Sequence, residues 1–143
     1  MADIAVAVRT YLLANAAIEA LIGIRMWADL LPQDAELPAV EFSKISTRHD
    51  MVLGGPAGLA HCRLQFDCKA DRAAGGRLKA NEIAEAIRGS GILKHRGVVG
   101  GVDIRGARPE DGERNSIDYA NDDSDEHIYV TSFDLEVDYL ESI

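Results

Sequence analysis

The chain has 143 residues, 47% of them hydrophobic, with a mean hydropathy of -0.08 and a net charge of -9. Those values describe one soluble globular domain, long enough to bury roughly two-thirds of its unfolded surface. The apolar runs fall far short of the ~20 residues a membrane helix needs, and the start, MADIAVAVRT, carries Asp3 and no basic cluster, which argues against a secretory signal. The charge is uneven. Residues 1–108 hold fourteen basic and twelve acidic side chains, whereas residues 109–143 hold twelve acidic side chains against Arg114 alone. Phosphate binding needs clustered Lys and Arg, so that end is unsuited to holding nucleic acid.

In chain order, Asp3 is placed to cap a first helix running to about Leu21, with Ile4, Val8, Tyr11, Leu12, Ile18 and Leu21 as its apolar face and Gly23 as its stop. Arg25–Ala28 reads as a short strand or extended link. Leu30–Pro38 contains two prolines and reads as a crossing loop whose leucines, Leu30 and Leu31 beside Pro32, pack on something. Ala39–Ser46 alternates as a strand. Met51–Gly58 then turns the chain through a glycine-rich hairpin tip. Met51, Val52 and Leu53, followed by Gly54, Gly55 and Pro56, are an odd group to leave in water. Either the tip folds back on its own domain or it is a contact arm for a neighbour.

The stretch from Leu59 to Arg88 is the most legible. Ala60, Cys62, Leu64, Phe66, Cys68 and Ala70 alternate with His61, Arg63, Gln65, Asp67 and Lys69, the period of a strand with one buried face. The mixed charge of the polar face suits a partner surface. Leu78, Ile83 and Ile87, flanked by Ala80, Ala84 and Ala86, then form a helical stripe. Val98–Arg105 reads as a third long strand, bulged at Gly100-Gly101. Residues 109–126 read as an exposed acidic loop with little intrinsic order. His127–Leu140 is a final strand with Thr131, Phe133, Leu135 and Val137 on one face and Ser132, Asp134, Glu136 and Asp138 on the other. The sum is an α+β domain over 1–143, with a mostly antiparallel sheet of four to five strands and two helices on one face.

Chemical signatures are sparse. Cys62 and Cys68 share a strand face about 20 Å apart, too far for a disulfide, and read as small buried hydrophobes. His49, His61, His95 and His127 lack metal-type spacing and read as solvated. Residues 121–125 place oxygen ligands at alternate positions, but a calcium loop needs glycine where Glu126 stands. Nucleotide-binding glycine motifs, G-x-S-x-G and H-E-x-x-H are all missing. No catalytic, cofactor-binding or metal residue is assigned. One constellation remains: Asp134, Glu136 and Asp138 form a single-sign ladder, either a plain solvated face or a surface that repels an anion such as passing DNA.

Taken together, ALIGIRMW, LPQDAELPAVEFSKIS, the strand GLAHCRLQFDCKA with its ANEIAEAIR helix, and the closing alternating strand resemble the tail-completion, or tail-terminator, proteins of long-tailed bacteriophages and phage-derived particles. The similarity runs over nearly the whole chain. Leu31-Pro32-Gln33 with Leu37-Pro38-Ala39-Val40, and the unit at 59–88, carry most of it, while the acidic segment 109–126 departs from it. The resemblance implies a structural virion protein without cofactor or enzymatic activity. Such a protein is assembled in the host cytoplasm, forms a ring of typically six copies at the head-proximal end of the tail, and contacts the tail-tube protein and the head–tail connector. DNA passes through the ring without specific binding.

In those terms Asp134, Glu136 and Asp138 are lumen candidates, and Met51, Val52, Leu53, Pro56, Leu30, Leu31 and Pro32 are subunit-contact candidates. A head-side connector or a tail-tube subunit is the nearest alternative. A small cytosolic enzyme or metal-binding domain using His127 with Asp123 and Asp125 is the alternative of another class.

Overall fold

The computed structural model describes residues 3–29, 31–32, 35–119 and 127–141. The described elements are helices α1 (Ile4–Leu13), α2 (Ala16–Ile22) and α3 (Gly76–Arg88), a short 3-10 turn at Ile92–Lys94, and six strands. The strands are β1 (Met26–Ala28), β2 (Ala39–Val52), β3 (Gly55–Asp71), β4 (Gly97–Val99), β5 (Val102–Tyr119) and β6 (His127–Leu140). They form one sheet in the order β1-β2-β3-β6-β5-β4, antiparallel except where β1 joins β2. The α+β class stands, with six strands rather than four or five and three α-helices rather than two.

The extra helix comes from a break in the first. Asp3 caps α1, accepting from the Ala5 amide at 2.7 Å. At Asn15 the chain turns, and its side-chain oxygen accepts from the amides of Ala17 and Ile18 at 3.0 and 3.2 Å, opening α2 at 91° to α1. An asparagine inside an apolar periodicity is a helix-start signal that the continuous stripe conceals. The bend brings Ile18 and Ile22 onto the sheet beside Val8 and Leu12, all fully buried.

The core lies between the helices and one face of the sheet. Cys62, Leu64, Phe66 and Cys68 of β3 point into it as their alternation requires, with both thiols free and fully buried. At its centre Phe42, Phe66 and Phe133, opposite one another on β2, β3 and β6, stack at centroid separations of 5.6 and 5.2 Å. Helix α3 contributes Ala80, Ile83, Ala84 and Ile87. Leu78 does not join them. It is 81% exposed, because it lies about 200° around the helix from both Gly76 and Ala80 and so falls off the buried stripe.

Two further expectations are corrected. Gly100 and Gly101 are not a bulge but a two-residue turn with φ of 56° and 81°, so the expected third strand is the hairpin β4–β5. Both residues need positive φ, which glycine adopts without strain. The acidic segment is not a loop as far as it is described, since residues 109–119 continue β5 against β6. Arg77 of α3 fastens this end, donating to the carbonyls of Val130 and Ser116, each at 2.7 Å, with its guanidinium over the Tyr129 ring. Residues 120–126, with the calcium-like run and the alternative ligands Asp123 and Asp125, lie outside the described residues, as does Leu30.

Replacing Phe66, the middle ring of the stack, by Ala is expected to cost about 3–5 kcal/mol of folding stability. Urea denaturation of the variant checks this, and a loss below about 1 kcal/mol would mean that the stack is not the centre of the core.

Candidate functional site

The sheet has a helix face and an open face. Alternation places Asp134, Glu136 and Asp138 of β6 on the open face, as expected, and the register sets Gln65, Arg63 and His61 of β3 opposite them. On the other flank, Glu110, Arg108 and Gly106 of β5 stand opposite the same three residues.

The expected single-sign ladder is therefore threaded with cations. Asp134, only 4% exposed, accepts from Arg63 at 2.7 and 2.8 Å through one oxygen and from Arg114 at 2.9 Å through the other. Arg108 bridges Glu136 at 2.6 Å and Asp138 at 2.9 Å, while Arg48 of β2 reaches Glu136 at 3.7 Å. Farther along, Ser132 donates to Asp67 at 2.7 Å, and Lys69 lies 3.7 Å from Glu41. The polar face of β3, expected as a partner surface, instead forms part of this network. A buried carboxylate is costly unless paired and hydrogen-bonded, and two arginines meet that requirement at Asp134.

His61 is not a solvated histidine. Its side chain is 11% exposed, with Nδ1 2.5 Å from Asp138 Oδ1 and Nε2 2.9 Å from Asp50 Oδ2. Those two hydrogen bonds raise its pKa above the ordinary 6.5. Burial works against the charged form of Asp138, but the hydrogen bonds from His61 and Arg108 outweigh it and hold that carboxyl below its ordinary 3.8. His49 pairs with Glu141 at the end of β6, and His95 lies against the Tyr11 ring. Burial pushes both cysteine thiols up, which removes them as nucleophiles.

Donor atoms of His61, Glu136 and Asp138 all lie within 4.8 Å of one another, a spacing a metal ion can use. The Arg108 guanidinium already holds both carboxylates, so a cation's place there is filled.

The subunit-contact candidates occupy two places. β6 ends at Leu140 opposite Leu59, so the β2–β3 hairpin projects past it, closed by a Leu53-Gly54 turn. On this projection Met51 and Val52 are 66% and 61% exposed and Leu53 is fully exposed. The Pro56 side chain is outside the described set. In the crossing loop, the Leu31 amide donates to Glu41 at 2.7 Å and Pro32 is exposed. The tip adjoins the carboxylate ladder at its root, where Asp50 reaches Asp138 through His61, while the crossing loop meets β2 at Glu41. Sequence reading missed Asp50, Arg108 and Arg114 as members of the network, because it is the strand register that brings them to the carboxylates of β6.

The described chain thus combines one packed face, one face knitted by ion pairs and an apolar projection. The family model described as tail completion protein gp17 matches residues 6–108, and the chain belongs to that family. It is accordingly a structural protein of the phage virion tail and not an enzyme. A chain solved within the virion of a native gene transfer agent particle shares the fold, with a TM-score of 0.64 over 94% of each chain at 19% identity. No curated protein sequence matches closely enough to count as a relative. Asp134, Glu136 and Asp138 fall beyond the matched segment, so the family match does not bear on them.

Asp134→Ala is expected to destabilise the chain by about 1–3 kcal/mol, because Arg63 and Arg114 lose a hydrogen-bonded counter-charge yet keep some access to water. Chemical denaturation measures this, and a neutral result would make the pairing incidental. The pH dependence has two limbs. The contribution of His61 is complete below 6.5 and is lost as pH rises through its raised pKa. That of Asp138 is present above 3.8 and is lost as pH falls through its lowered pKa. Melting temperature should therefore decline on both sides of that window, and His61→Gln should flatten the alkaline decline.

Proposed function

We propose that the protein is the ring-forming terminator subunit of the tail, which caps the finished tail tube and joins it to the head connector. The projecting β2–β3 tip carries this reading. Among the described residues nothing beyond β6 covers the contiguous Met51-Val52-Leu53 group on this two-stranded projection, and such a group gains by burial against another subunit. A contact between a tip and a different surface on the next copy is heterologous, and heterologous contacts close into rings when the rotation per subunit allows. Six copies is the number the family resemblance suggests. Leu31 and Pro32 are the second contact candidates.

The open face, with Asp134, Glu136 and Asp138, is proposed to line the lumen. Its charges are internally paired, so it offers DNA neither a row of uncompensated cations to bind nor a strongly repelling wall. DNA-permissive passage thus rests on neutralisation rather than on acidity.

Mass measurement and electron microscopy of the purified chain and of particles test the ring. Leu53→Glu should leave the fold intact, because that side chain is fully exposed among the described residues, and should weaken self-association at least about tenfold. Wild-type chain that is monomeric both free and in particles would refute the ring.

A further inference from the structure

The root of the projecting tip is held by a histidine bonded at both nitrogens. His61 of β3 reaches Asp138 of β6 through Nδ1 and Asp50 of β2 through Nε2, at 2.5 and 2.9 Å, and Asp50 immediately precedes Met51. A neutral imidazole has one N–H and one lone pair. It can donate to one carboxylate only and turns its lone pair toward the other, whereas the imidazolium donates to both. Closure of this three-strand bridge therefore requires a proton.

The surrounding charges place the titration on the ring. From β2 it is faced by Arg48 and Asp50, from β6 by Glu136 and Asp138, and from β5 by Arg108. Arg96, just before β4, reaches the same neighbourhood over Gly106. Arg108 keeps Asp138 paired whichever form His61 takes, so loss of the ring proton breaks the bridge on one side without discharging the other. At the tip's root His49 pairs with Glu141 just past the end of β6, giving the arm a second histidine–carboxylate fastening.

We propose that His61 is a protonation-operated latch that holds the β2–β3 tip in its docking pose, so that association of copies through the tip weakens as the ring loses its proton. This rests on the tip being the contact between copies, as proposed above. The latch is fully closed below the ordinary histidine value and opens as pH rises through the raised one. A stiff arm loses less freedom on docking than a loose one, which is how a bond at its root affects affinity at its end.

The test uses the full chain in two independent measurements. Nitrogen-15 NMR of the imidazole, between about pH 5.5 and 8.5, should show both ring nitrogens of His61 protonated at the acid end. Hydrogen exchange at the amides of residues 47–53, corrected for intrinsic rate, should speed up about tenfold as the ring titrates. His61→Gln should abolish that step, and Asp50→Ala, which leaves nothing for Nε2 to bond on β2, should give the open-latch rate at every pH. Sedimentation of the same samples should show self-association falling about tenfold across the same range in the wild type but not in His61→Gln.

Exchange that is constant through the titration, or a ring nitrogen bare at the acid end, overturns the latch. Zinc that raises the melting temperature of the wild type but not of His61→Gln would also overturn it, by making the cluster a metal site. A wild-type chain that never associates overturns the docking consequence together with the ring, while NMR and exchange decide the latch separately.

Discussion

The β3–β6 ladder is the constraint on which the rest of the molecule depends. It runs for thirteen residue pairs, from Leu59 opposite Leu140 to Asp71 opposite Ile128, without a register shift. Because side chains alternate, one slip would exchange every core residue of β3 for a polar one. The unbroken register aligns Phe66 with Phe133 beneath the helices and, one residue on, Gln65 with Asp134 on the opposite face. Core and charge network are thus two sides of the same pairing. The irregularities of the sheet lie in the flanking pairs, β2–β3 and β5–β6, where they bend the periphery without disturbing the centre.

The polar face shows how a strand can carry three carboxylates without self-repulsion deciding the outcome. Burying a lone carboxylate to the 4% exposure of Asp134 would be costly. Arg63 and Arg114 come from the strands on either side, so the counter-charges arrive with the sheet's own pairing. Individually exposed ion pairs contribute little. Here one partner is buried and the charges share partners, a geometry in which removing one member takes a contact from several others. Arg108 shows this most clearly, since Glu110, Glu136 and Asp138 all pair with it.

Much of the fold was legible where a single period governed a whole element. The alternation from Ala60 to Ala70 and from Tyr129 to Val137 located β3 and β6, and the β2–β3 hairpin was read as such, whereas the central β3–β6 pairing joins strands distant in sequence and left no local signal. The reading failed where two signals overlapped or where no apolar signal existed. Asn15 sits within a stripe that looks continuous, and only the competition of its side chain for backbone amides reveals the break. The strand 109–119 has no buried side, being polar on both faces. Its extended form comes from pairing with β6 and from the grip of Arg77, both tertiary effects absent from its composition. The charge network failed for a related reason. The acids of β6 are adjacent in sequence, but Arg63 lies some seventy residues from its partner, so only the register reveals the pairing.

The edges of the sheet carry one more consequence. β1 and β4 cover only the first few residues of β2 and β5, at 40–42 and 102–104, and leave the outer edges of two long strands without a described neighbour beyond those points. Open edges are where unrelated chains zip together into fibrils. Both strands break register twice, at Lys44/Ser46 and His49/Met51 on one and at Ile104/Gly106 and Glu110/Arg114 on the other, and β5 adds Pro109, which has no amide to offer. Such edges recruit poorly by backbone pairing. Copies that meet edge to edge are thereby kept from zipping together through their backbones, and selectivity is left to side-chain contacts.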